Sequence, residues 1–189
     1  MFPAVSFRIP TLWRVRGRIE DVAAILSEPE RFPRWWGDVY LGVEIVNPGD
    51  ANSIGQIVAV YSKGWLPYRL NWEGTLVESN MPTTWTVEAT GDLIGRGIWT
   101  LVQNCETAEI GYDWSVRSDR LLFRLLAPFF RWLMISNHRW AMAKGESGLQ
   151  AELIRRPRSG LHLRPQRVKF SDFGGYWWVR TDSNRGPAD

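Results

Sequence analysis

Residues 84–118 read TWTVEATGDLIGRGIWTLVQNCETAEIGYDWSVRS, and this stretch decides the fold. Three runs in it, 84–90, 97–104 and 109–118, alternate apolar and polar residues with period two, as half-buried strands do. The breaks Gly91-Asp92 and Cys105-Glu106-Thr107 are too short for a crossover, so neighbouring strands are antiparallel. From Asp119 the period changes. Leu122, Leu126, Phe130, Leu133, Asn137, Trp140 or Ala141, and Lys144 recur every three or four residues, and Leu149 and Leu153 continue the stripe. A long helix therefore follows the strands. Asp119 is its expected N-cap, Pro128 is expected to kink or split it, and Gly145 and Gly148 weaken its far end.

Upstream, 7–16 reads as a strand with Trp13 and Val15 on one face and Arg14 and Arg16 on the other. Residues 19–27 read as a short helix with Glu20 and Asp21 near its start, and 30–36 as a second helical turn. Strands are then expected over 43–47, 55–61 and 67–78. The predicted class is α+β, a seven-stranded curved antiparallel sheet around a long C-terminal helix, with two short helices after the first strand. Such a sheet needs a cover and the helix has the stripe to provide one. The space between them is the expected ligand site.

The chain has 189 residues and 21.8 kDa, enough for one domain with a tail. Residues 1–155 form the expected domain and 156–189 a basic tail without periodicity, expected to be disordered. The apolar content of 44% excludes general disorder. No apolar run reaches the roughly 20 residues that cross a bilayer. The N-terminus lacks a secretory pattern, so the default compartment is the cytoplasm. One cysteine, Cys105, excludes an internal disulfide framework, and with only His138 and His162 beside it zinc chemistry is not expected. No metal site or cofactor is implied. Residues 1–153 carry 15 Lys and Arg against 17 Asp and Glu, a net −2, whereas 154–189 carry 8 against 3, a net +5. The body gives no reason to expect nucleic acid as a partner. The tail has two readings. One is a basic aromatic segment for nucleic acid or anionic lipid. The other is read-through: Asp182-Ser183-Asn184-Arg185 can be encoded by GAC TCG AAC CGN, which contains the complement of the tRNA T-loop sequence.

Four local segments carry a family resemblance. Pro29-Glu30-Arg31-Phe32-Pro33-Arg34-Trp35-Trp36 follows the first helix, and Leu66-Pro67-Tyr68-Arg69-Leu70 starts a mid-sheet strand. Gly91-Asp92-Leu93 with Gly95-Arg96-Gly97-Ile98-Trp99 enters another strand. Asn137-His138-Arg139-Trp140-Ala141-Met142 with Gly145-Glu146-Ser147-Gly148-Leu149 ends the long helix. Together with the element order, over roughly 5–153, these resemble the START-like, Bet v 1-like (SRPBCC) superfamily of the polyketide cyclase/dehydrase and lipid-transport type, in a bacterial branch of unknown activity. The resemblance implies a helix-grip fold and a cavity for a hydrophobic ligand, and no particular reaction.

Phased by their apolar faces, the strands point Trp13, Tyr61, Tyr68, Leu70, Trp72, Trp85, Val87, Tyr112, Trp114 and Val116 inward. Arg69, Glu73, Glu88, Asp113 and Arg117 fall on the opposite face. The expected ligand-binding set is Trp13, Tyr61, Tyr68, Trp72, Trp85, Thr100, Tyr112, Trp114, Asn137 and Trp140. Flat rings with polar edges suit a small hydrophobic molecule such as a lipid, isoprenoid or aromatic polyketide, carried or sequestered, although the same rings could simply fill a core. An alternative is a cyclase or dehydratase in which His138, on the helix edge, is acid or base and tyrosines polarise a carbonyl. Against that stands a purely structural hydrogen bond from His138. A third reading uses Trp35-Trp36 and the apolar segment 121–135 for peripheral membrane contact, a partner or a homodimer. More simply, one of the two rings packs under the sheet and the other gates the cavity. Gly95-x-Gly97 is no phosphate loop and is expected to mark a β-bulge or tight bend.

Overall fold

The computed structural model describes residues 5–118 and 127–156. The chain runs β1 (Val5–Arg16), α1 (Ile19–Leu26), a 3-10 turn (Pro29–Arg31) and α2 (Phe32–Trp35). Then come β2 (Tyr40–Asn47), β3 (Ile57–Lys63), β4 (Arg69–Asn80), β5 (Thr84–Gly91), β6 (Gly95–Asn104), β7 (Thr107–Ser118) and α3 (Ala127–Arg155). The strands make one antiparallel sheet in the order β1-β7-β6-β5-β4-β3-β2, so the first strand closes onto the last. This is the helix-grip architecture expected from the sequence.

The short helices form for local reasons. Glu20 and Asp21 favour the positive end of α1, while Val22, Ala23, Ile25 and Leu26 bury one face. Pro29 then opens the 3-10 turn, where its missing N–H leaves no bond unmade. Pro128 likewise lies in the first turn of the described α3. Asp119, Leu122 and Leu126 lie outside the described residues, as do the rest of 119–126 and the tail from 157 on.

The core sits between the lower half of the sheet, α1, α2 and the far half of α3. Trp13, Val15, Leu101, Ile110, Val22, Ile25 and Leu149 are all buried there. Trp35 and Trp36 join them, at 6% and 3% exposure. Neither ring gates a cavity and neither forms a surface patch, contrary to the sequence-based expectations. The cause is a pair of glycines. A Cβ on Gly145 would stand 2.5 Å from the Trp36 ring and 2.7 Å from Trp13, and one on Gly148 would overlap the Trp35 carbonyl oxygen. The two tryptophans therefore lie directly on the helix backbone, where Trp36 Nε1 donates to the Ala141 carbonyl at 2.9 Å.

These glycines also shift the buried stripe of α3. Met142, Gly145, Leu149 and Glu152 face inward, whereas Lys144 is exposed and pairs with Asp38 at 2.9 Å. The stripe read through Lys144 was out of phase because a glycine carries no hydropathy signal.

Helix side chains also cover the free edge of β1. Glu146 accepts from the Arg14 amide and Gln150 from the Arg16 amide, both at 2.8 Å, which occupies donors that an edge strand would otherwise expose. At the end of α3, Glu152 is 1% exposed and pairs with Arg155 at 3.0 Å and Arg156 at 3.3 Å. Arg156 reaches on to Glu28 at 2.6 Å, tying α3 to the end of α1.

No register shift interrupts β6 against β5 or β7. The expected bulge at Gly95-x-Gly97 is absent. Each glycine instead makes room for a ring on β7: a Cβ at 95 would lie 2.9 Å from the Trp114 indole, and one at 97 would stand 2.7 Å from Cε2 of Tyr112.

Candidate functional site

A cavity of about 210 Å³ opens in the upper half of the sheet. Its floor is the inner face of β2 to β7, with Val43, Val58, Val60, Trp72, Gly74, Leu76, Trp85, Val87, Trp99, Tyr112 and Trp114. Its cover is Leu26, Ser27, Pro29 and Phe32 from the segment joining α1 to α2, together with Tyr40 at the start of β2. Asn52, Ser53, Gln56, Ser79 and Met81 form a rim at the β2–β3 and β4–β5 turns. No described residue of α3 lines it. Trp13, Trp35 and Trp36 fill the space between the sheet and the far half of α3, and the cover that the described residues supply comes from the short helices.

Strand register explains the aromatic floor. Trp85 pairs directly with Trp99, Trp99 with Tyr112, and Tyr112 with Thr11, so four strands contribute one straight row to the inner face. The rings follow one another at centroid separations of 5.9 Å (Trp85–Trp99) and 4.2 Å (Trp99–Tyr112), with Trp114 6.0 Å beyond Tyr112. Successive planes differ by 19°, 31° and 16°. The row presents a broad, nearly flat apolar surface.

No Asp, Glu, Lys, Arg or His is among the described lining residues. Besides Ser27, whose hydroxyl donates to the Ala24 carbonyl, and the indole N–H groups of the tryptophans, the polar groups of the described floor and cover are the hydroxyls of Tyr40 and Tyr112. Burial pushes both phenols above their ordinary range, and the proximity of Tyr40 pushes Tyr112 further. Both therefore stay protonated at neutral pH. Neither hydroxyl has a hydrogen-bond partner among the described side chains and backbone. Deeper in the wall Trp72 Nε1 donates to Ser62 Oγ at 3.0 Å, so that indole is satisfied.

Of the residues expected to bind ligand, Trp72, Trp85, Tyr112 and Trp114 meet at this cavity. The others do not. Trp13 is 1% exposed in the packed core, edge-on to Trp36 and Trp99. Tyr61 lies on the outer face, where Arg69 donates to its hydroxyl at 2.6 Å. Strand β3 is apolar on both faces (Ile57-Val58-Ala59-Val60-Tyr61), so period two could not phase it; its register fixes the matter by pairing Val60 with Trp72. Thr100 is exposed on the outer face of β6, beside Gly111. Tyr68 is half-buried and points its hydroxyl to Met134 Sδ at 3.9 Å. Asn137 holds the β3–β4 loop, accepting from the Trp65 amide at 3.0 Å over Gly64. Trp140 packs beside the core under Lys144, whose Nζ is 5.9 Å from the ring centroid. The sequence reading missed Tyr40, Phe32 and Trp99. Trp99 was legible in principle, two residues beyond Gly97 on the same face.

His138 stands behind the floor. Its Nε2 is 3.1 Å from Thr11 Oγ1, and its ring stacks 6.1 Å from that of Tyr112 at 14°. Burial lowers it to about 4, so it is neutral at physiological pH. It buttresses Tyr112 and does not itself line the cavity.

No protein-family profile matches the chain, and no curated protein matches its sequence. Solved structures do match. The Zhui aromatase/cyclase from Streptomyces sp. R1128 aligns with a TM-score of 0.66 at 13% identity, over 80% of this chain and 96% of that one. A START superfamily protein from Mycobacterium smegmatis gives 0.63 at 10% identity, over 78% and 97%. Norcoclaurine synthase from Thalictrum flavum, in complex with dopamine and hydroxybenzaldehyde, gives 0.60 at 14%, over 82% and 91%. The chain thus has the fold of the START-like, Bet v 1-like proteins. Among the described residues no helix is long and apolar enough to cross a membrane, and no cluster of His, Cys, Asp or Glu could hold a metal.

Proposed function

We propose that the protein binds a small, neutral, largely planar hydrophobic molecule in the cavity beneath α1 and α2, as a carrier or sequestering protein. The observation that carries this reading is the row Trp85–Trp99–Tyr112–Trp114 in a cavity whose described lining residues include no charged side chain. A volume of about 210 Å³ lies below the roughly 300–1,000 Å³ of drug-sized sites, which favours a compact fused-ring molecule over an extended acyl chain. The structural neighbours, an aromatase/cyclase and a synthase bound to dopamine and hydroxybenzaldehyde, agree with an aromatic compound. A reaction with His138 as acid or base has less support. Its ring lies behind Tyr112, is held by Thr11 and is absent from the lining.

The test is saturable binding of the neutral fluorophore 1-aminoanthracene to the full chain. One site per chain is expected, lost when Val58→Trp fills the cavity. Binding unaffected by that variant would place the probe elsewhere and overturn the reading.

A further inference from the structure

Resting on that reading, we infer that Tyr40 and Tyr112 form a two-donor clamp that selects ligands carrying an oxygen acceptor, such as a ring ketone. Both phenols line the cavity, and they come from opposite sides of it. Tyr40 is in the cover, with its ring 5.1 Å from Phe32 and 4.9 Å from Trp36, and Tyr112 is in the floor, 4.2 Å from Trp99. Their hydroxyls have no hydrogen-bond partner among the described residues, whereas the buried unpartnered groups, Trp13 Nε1 and Trp35 Nε1, are sealed in the packed core. Neither phenol oxygen is sealed off as those indoles are, so both are open to hydrogen-bond an acceptor atom of a ligand that enters the cavity.

The rings are also held in place. Gly97 leaves room for Tyr112, and His138, fixed by Thr11, stacks behind it. Because both phenols remain protonated, they act as O–H donors, and the complementary atom is an acceptor. The described lining residues offer a carboxylate or an ammonium no counter-charge. The ligand class is therefore a neutral aromatic or conjugated ketone, lying flat on the tryptophan row with its oxygen between the two phenols.

A pair of near-isosteric probes tests this: 2-acetylnaphthalene, which has the carbonyl, and 2-isopropenylnaphthalene, which has a CH2 in its place. Binding of each to the wild type, Tyr40→Phe and Tyr112→Phe is followed by tryptophan quenching, with the carbonyl stretch of the bound ketone as a second readout. The wild type should prefer the ketone at least about tenfold, each hydrogen bond contributing roughly fivefold. Its carbonyl stretch should shift to lower frequency. Each variant should lose most of the preference and part of the shift while keeping its affinity for the hydrocarbon. Equal binding of the two probes by the wild type, with an unshifted carbonyl, would overturn the clamp and leave the cavity reading standing. Failure of both probes to bind the folded wild type would overturn the clamp together with that reading.

Discussion

Gly97 and Tyr112 are matched across β6 and β7: the phenol lies over the glycine Cα, in space that any Cβ would occupy. Gly97→Ala should force the ring out of the aromatic row. The extra methyl cannot be absorbed by a flexible chain end, because Tyr112 is already stacked on Trp99 and backed by His138. Overpacking of this kind costs about 1–3 kcal/mol. Chemical denaturation should show that loss, and 1-aminoanthracene affinity should fall with it. Unchanged stability and affinity would mean that Tyr112 need not sit where it does.

Gly145→Ala and Gly148→Ala should both destabilise, although alanine is favoured over glycine in a helix interior by about 1 kcal/mol. The added Cβ meets the Trp36 and Trp13 rings in one case and the Trp35 backbone in the other. Backbone yields less readily than a ring, so Gly148→Ala should be the worse of the two. Thermal unfolding decides; a rise in Tm for either variant would contradict the close approach of α2 to α3.

His138 gives stability a pH dependence of known sign. Burial sets it near 4 in the folded chain, against 6.5 when unfolded. Between those values the unfolded chain holds the proton and the folded one does not, so stability falls as pH drops from about 6.5 to about 4. The contribution is on the order of 3 kcal/mol at most, and it is constant outside that window. His138→Gln, which can still bond Thr11, should flatten this part of the profile. A slope unchanged in the variant would assign it to other groups.

Glu152 is the buried anion of the far end of α3. Glu152→Gln should lower stability by about 1–3 kcal/mol, because Arg155 and Arg156 lose their partner yet remain partly solvated. Removing Glu28, the second acceptor of Arg156, should couple to it in a double-mutant cycle. Additive effects would contradict a shared network.

The legibility of this chain in its sequence follows its chemistry. Turns rich in Gly, Asn, Asp and Pro divided the strands correctly, since only those residues suit such bends, and the change of period after Ser118 announced the helix. Faces were harder. Strands β4, β5 and β7 carry tryptophan or tyrosine on one side only, and their inner faces could be read. Strand β3 is apolar on both sides and could not, which put Tyr61 on the wrong face. Gly145 and Gly148 read as weak points of a helix, whereas they are its closest contacts, because a glycine reveals its role only when the neighbour it admits is known. That same close packing of Trp35 and Trp36 fills the space under the far half of α3, and the described cover of the cavity is the one that Phe32 and Tyr40 provide. Tyr40 opens β2 ahead of 43–47, the stretch that reads as the strand, so no periodicity marks it.

The central claim, that this cavity holds a small neutral aromatic molecule, is tested most directly by native mass spectrometry of the full chain purified from the cells that normally make it. The wild type should carry one discrete added mass that organic extraction removes, and Val58→Trp purified in parallel should not. A bare wild type, or an added mass that survives in the filled variant, would contradict the account.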